Sequence, residues 1–258
     1  MKEFFGWGGY TREAEGFFSW QHLLFVTSLM LVMVFFAVFF GRKNRMADEK
    51  QKNRVLIVAA ILIDSLELFK IVIFCLRGND PWGWLYELPL FLCSIQLIAL
   101  PLAAFSKGRM KQAALDFVLI FGILGAVLGT YGAGQNYGSY PVLGFDNMIS
   151  GITHSISGFS SLYIAISGMG SMKKKNIPIT FAILLGFCGC AMIANHLLDY
   201  NYMFLVRPDG TPYELVYSFL DGNPILYPIG VILLFIIYIL AYYFVWFFVQ
   251  KKCAKKEN

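Results

Sequence analysis

Seven long apolar runs alternate with short polar or basic connections along the chain, and each run is close to or above the roughly 20 residues that carry a helix across a bilayer. The pattern predicts spans at 18–41, 55–76, 87–106, 112–131, 148–170, 177–199 and 224–250. The expected fold is all-α: a polytopic membrane protein with seven transmembrane helices in a single domain over residues 1–258. Segment 1–17, rich in Phe, Trp, Tyr and Gly, suits an outer interfacial segment. The first run lacks a small-residue cleavage pattern and reads as a retained helix.

The polar residues inside these runs carry the candidate chemistry. The stretch Glu87–Pro101, ELPLFLCSIQLIALP, places one cysteine and one glutamine where lipid-facing residues are expected. Pro89 is tolerated in an opening helical turn, so the helix is expected to start near Glu87 or Leu88, with Cys93 about one turn inside its N-terminal end. Amide N–H groups at such an end favour a thiolate. Gln96, three residues on, shares a face with Cys93 and is a candidate oxyanion donor. A lone cysteine in an apolar helix is usually a packing residue, so its companions decide its reading.

The fifth run supplies the main companion. Ser150, His154, Ser157 and Ser161 recur at intervals of four, three and four and form one polar stripe. His154 lies about 10 Å below the outer surface, level with Cys93, which is the placement a thiol–imidazole nucleophilic pair requires. Glu67 and Lys70 fall on one face of the second run near Asp64. Each costs on the order of 3 kcal/mol in a bilayer, so they are expected to line a polar cavity. His22 opens the first run. Asn195, His196 and Asp199 close the sixth, with the carboxylate placed to orient the imidazole. Gly122, Gly125 and Gly129 allow close helix contact without a chemical role. The concentration of these groups in the outer half points to a site open to the outer leaflet or the exterior.

Composition agrees with a membrane protein: 58% of the residues are hydrophobic and 14% charged, against about 25% charged in soluble domains. Basic residues collect in alternate connections and in the tail 251–258, which places the N-terminus outside and the C-terminus inside. The net charge of +5 therefore reports topology, and no nucleic-acid motif accompanies it. The five cysteines form neither a CxxC pair nor a zinc module. His22, His154 and His196 lack local metal-ligand spacing, so neither metal nor cofactor is expected.

The motifs SWQH, ELPLFLC, GITH and NHLLDYNYMFL together resemble the YwaF-type family of bacterial integral membrane proteins. That family looks related to a eukaryotic transmembrane acyltransferase acting on ether phospholipids, and more remotely to membrane hydrolases of fatty-acid esters. The resemblance implies that Cys93 is the acyl-accepting nucleophile and His154 its base. His22, Asn201 and Tyr202 match family positions without an assigned role. Phe91 stands where the family often has histidine, and DGNPILYP departs from a tryptophan-rich proline motif.

Three functions follow from this reading. The first is a membrane-embedded, cysteine-dependent lipid acyltransferase or ester hydrolase, with phospholipid or lysophospholipid as partner, in a bacterial plasma membrane. Glu67 and Lys70 would hold the head group. The second is an ion- or proton-coupled transporter or channel using Asp64, Glu67, Lys70 and His154. The third is a seven-helix ligand sensor without catalysis.

Overall fold

The computed structural model describes residues 2–170 and 172–254. Its helices are α1 (Trp20–Lys43), α2 (Glu49–Gly78), α3 (Gln96–Phe105), α4 (Gly108–Tyr131), α5 (Gly134–Ser139), α6 (Phe145–Ser167), α7 (Ile177–Leu198), α8 (Glu214–Phe219) and α9 (Leu226–Ala254). Helical stretches at Trp20–Lys43, Gly108–Ser139, Lys174–Leu198 and Leu226–Lys251 are long and apolar enough to cross a membrane. Helices α2 and α6 have the length, at 30 and 23 residues, but interrupt their apolar residues with polar and ionisable ones. The basic tail expected at 251–258 lies outside the described residues beyond Ala254.

The third expected span, 87–106, is the one the structure corrects. Residues 87–95 are irregular, ending in a turn at 92–95, and α3 has only ten residues, about 15 Å of helix against a hydrocarbon core of about 30 Å. Pro89 contributes no N–H. Ser94 Oγ accepts from Phe91 N–H at 3.0 Å and donates to Phe91 O at 3.1 Å, which stabilises a turn in place of the helix. The helix therefore begins at Gln96, after Cys93 and not before it.

The chain divides into two compact units, 1–171 and 172–258. In the first, α4 is the central helix, buried without interruption from Ala113 to Gly122. Helix α6 packs against both α1 and α4, and Gly158 permits this because a Cβ there would run into Met33 of α1 and Ala126 of α4. Ser161 Oγ donates across to Leu119 O at 2.7 Å. At one end, Asn53 joins α2 to α3 and α4: its amide donates to Ala104 O at 2.7 Å and accepts from Lys111 Nζ at 2.5 Å. This end carries the basic residues of the 42–54 and 107–111 connections.

The N-terminal segment closes the opposite end. Arg77, at the end of α2, donates to both oxygens of Asp146 in the first turn of α6, at 2.7 and 2.9 Å, and to Phe5 O at 3.1 Å. Tyr10 donates to the same carboxylate at 2.6 Å. Burial and this bond push the Tyr10 phenol up to about 12. The contribution to stability is thus fully present below the ordinary tyrosine pKa of about 10 and is lost only as the pH rises through the folded value. Phe5 packs on Phe69 and Phe145, so the aromatic segment is a folded cap tied to two helices.

In the second unit, α7 ends at Asp199 in the left-handed conformation (φ 49°). The following turn holds Met203 and Phe204 at φ 55° and 56°. Thr180 and Tyr243 meet between α7 and α9 at 3.3 Å.

Asp146→Asn leaves the Arg77 guanidinium half-buried without its charge partner and is expected to destabilise the cap by about 1–3 kcal/mol. Hydrogen exchange over residues 2–18 should accelerate accordingly. Unchanged protection would show that aromatic packing alone holds the segment.

Candidate functional site

Loss of helix over residues 87–95 brings Cys93 out of a backbone ladder and against α4 and α6. Irregular backbone within a membrane bundle persists only where protein or a wet cavity satisfies it. The half-buried Cys93 thiol and the half-buried His154 imidazole interact, lying against successive turns of α4 at Gly125 and Gly129. His154 Nδ1 donates to Ser150 O at 2.7 Å, one turn back on α6. That bond fixes the tautomer and leaves Nε2 as the nitrogen available to a thiol.

The glycines of α4 make this meeting possible. A Cβ at Gly129 would overlap Cδ2 and Nε2 of the His154 ring. A Cβ at Gly125, one turn away, would stand 3.4 Å from Cys93 Cβ. At Gly122 it would reach Ser157 O at 2.7 Å. Spacing alone assigned these residues to helix packing; the partner that distinguishes Gly125 comes from the irregular segment before α3, and that of Gly129 from α6. The stripe on α6 divides accordingly, with Ser157 and Ser161 bonding the α4 backbone and Ser150 holding the His154 ring.

Glu67 and Lys70 are ion-paired at 2.7 Å, and Lys70 also reaches Glu87 at 2.8 Å. A single ammonium between two carboxylates joins α2 to the irregular segment and leaves one negative charge in excess. Glu67 acts electrostatically on both Cys93 and His154. Glu87, which the sequence marked only as a helix start, is part of this cluster. One turn away, Asp64 keeps a buried oxygen without a hydrogen-bond partner.

Gln96 is fully buried at the start of α3, and neither its amide nitrogen nor its oxygen has a partner. Each unmade bond costs about 1–3 kcal/mol, an arrangement that folding alone does not favour. Beside Glu87 runs an open, apolar groove of about 560 Å³ between α2 and the segment before α3, lined by Leu68, Val72, Leu76, Trp84, Leu88 and Pro89 among others.

Several expected site residues are used structurally instead. His22 is fully buried and both ring nitrogens are engaged: Nδ1 accepts from Phe18 N–H at 3.1 Å, and Nε2 donates to Thr130 O at 3.1 Å. It fastens α1 to the end of α4. In the second unit, Asn195 brackets Tyr202, donating to its carbonyl at 3.1 Å and accepting from its N–H at 2.5 Å. Asn201 donates to Arg207 O at 2.7 Å and to Asp209 at 2.8 Å. These amides hold a turn containing left-handed residues. His196 and Asp199 are exposed, and among the described residues no hydrogen bond or ion pair joins them. The left-handed backbone at Asp199 ends the helix that would have aligned the two.

The long apolar helices and the polar groups held between them define an integral membrane protein. The TMEM164 family model matches residues 17–243. The chain belongs to the TMEM164 family. Comparison with curated protein sequences finds no match, and comparison with solved structures finds none either.

Two substitutions probe this geometry. Gly129→Ala adds a methyl group inside the His154 ring envelope and is expected to slow alkylation of Cys93 about tenfold or more, since overpacking that shifts a side chain costs about 1–3 kcal/mol. Gly186→Ala, which meets open space on α7, should leave the rate unchanged. Peptide-resolved alkylation measures both, and an unaffected Gly129 variant would contradict the packing. Gln96→Met should raise the stability of the detergent-solubilised protein by about 1–3 kcal/mol by removing two orphaned polar atoms. A lower thermal midpoint would show that the amide is satisfied.

Proposed function

We propose that this protein transfers acyl groups between membrane lipids through a thioester on Cys93. The observation that carries the reading is the placement of the Cys93 thiol beside an imidazole whose Nδ1 is already committed to Ser150 O, the two lying against successive turns of α4. His154 takes the thiol proton as sulfur attacks a lipid ester carbonyl. The tetrahedral intermediate collapses, the C–O bond breaks, and the imidazolium returns the proton to the leaving lysolipid alkoxide. In the second half, a lysophospholipid hydroxyl gives its proton to His154 and attacks the thioester, and the thiol is restored. Water in place of the hydroxyl makes the same site a hydrolase.

The surroundings support each requirement. The amide of Gln96 is a buried donor without an internal partner, and an oxyanion is a ligand it would satisfy. The apolar groove beside Glu87 suits an acyl chain, and the polar cluster at its edge marks where an ester would leave hydrocarbon. The resemblance of the motifs to those of YwaF-type proteins, and through them to ether-phospholipid acyltransferases, supports the same reading, and the bacterial plasma membrane is the location that resemblance implies. Lys70, tied between two carboxylates, orders the mouth of the site in this reading and does not serve as a free head-group ligand.

The test uses protein in vesicles containing phospholipid with a labelled acyl chain. Hydroxylamine-sensitive label should appear on Cys93, Cys93→Ala should carry none, and His154→Ala should slow transfer by about 10²–10⁴-fold. Full transfer by the folded Cys93→Ala protein would overturn the mechanism.

A further inference from the structure

A second site lies at the basic end of the first unit, remote from Cys93. A cavity of about 370 Å³ opens between the end of α1 and the end of α6, lined by Val38, Arg42, Arg45, Ala165, Ile166 and Gly168. Its size falls in the range of small-ligand sites. Ile166 is twelve residues beyond His154 on α6, about 18 Å along the helix axis. The two helices cross closely here because Gly41 lacks a side chain: a Cβ there would approach Ile166 Cβ to 2.7 Å.

Arg42 lies in the last turn of α1, and the chain then turns so that Arg45 N–H donates to Arg42 O at 3.2 Å, bringing the second arginine back over the first. Among the described residues, neither guanidinium has an ion-pair partner. The hydroxyl of Ser167, between two lining residues, is buried and also unpartnered. Two free guanidinium forks at a membrane boundary are suited to a phosphate.

The face of α1 below the arginines determines which phosphate. Leu31, Val34, Val38 and Arg42 follow one another at three- and four-residue spacing, so they form one continuous row. Leu31 and Val34 are 67% and 43% exposed. A free anion makes no use of that apolar row, whereas a phospholipid fills both parts at once. We propose that this cleft binds the phosphate head group of an anionic glycerophospholipid, with an acyl chain lying along the Val38–Val34–Leu31 face. The site is independent of the acyl-transfer reading, and Cys93 takes no part in it.

The full-length protein in detergent, examined by native mass spectrometry and thermal unfolding, provides the test. Phosphatidylglycerol should form retained adducts and raise the midpoint, whereas phosphatidylcholine and millimolar inorganic phosphate should do neither. The Arg42→Gln/Arg45→Gln variant should bind phosphatidylglycerol about 30-fold more weakly, the effect of two surface arginines on an anionic lipid. Lys50→Gln/Arg54→Gln, which removes equal charge from the same end outside the cleft, should bind as the wild type does. Equal loss in both variants, equal adducts with phosphatidylcholine, or full stabilisation by inorganic phosphate would each overturn the proposal.

Discussion

A helix that starts nine residues late, at Gln96 and not at Glu87, is the constraint on which the rest of the first unit depends. Had α3 begun at Glu87, Cys93 would sit within a helix, its position set by 3.6-residue periodicity. The turns built by Ser94 and the proline before it free residues 87–95 to bend toward α4 and α6. The sulfur then reaches an imidazole on a different helix, while Gln96 is left buried at the point where regular structure resumes. Exposing backbone amides in a membrane bundle is costly unless protein satisfies them. The cap, the Lys70 ion pairs and the glycine face of α4 are the elements that surround this departure.

Charge is arranged around the site so that little of it is free. Lys70 is held by Glu67 and Glu87, and Arg77 by Asp146. A half-buried ammonium between two carboxylates is worth less as a stabilising device than as a positional one, because desolvation offsets much of the attraction. Here it fixes α2 to the irregular segment that carries the cysteine. The first unit therefore has polar clasps at both ends, Asn53 at the basic end and Asp146 beneath the cap, with an apolar middle interrupted at the site.

Much of this was legible from residue order, and the parts that were not share a cause. Apolar runs located the long helices because hydrophobic length is a local property. Matching depth set Cys93 level with His154 by counting helical rise from Glu87, a rise that residues 87–95 do not follow, so their proximity depends on the fold and not on that count. The break at 87–95 was hidden because Pro89 is equally at home in a first helical turn and in a loop. Spacing revealed the glycines of α4 but not that Gly129 accommodates the His154 ring, since that depends on a neighbour distant in sequence. His22, Asn195 and Asn201 looked chemical because they are polar residues in apolar surroundings. Their partners are backbone groups, and a sequence does not show which carbonyls and amides a fold leaves unsatisfied.

The central claim, that the imidazole of His154 is held through Nδ1 and meets the thiol through Nε2, is tested most directly by ¹⁵N solid-state NMR of histidine-labelled protein in lipid bilayers. The account predicts a protonated Nδ1 at His154 in both the wild type and Cys93→Ala, with the Nε2 resonance moving when the sulfur is removed. An unprotonated Nδ1, or an Nε2 resonance indifferent to the loss of Cys93, would contradict it.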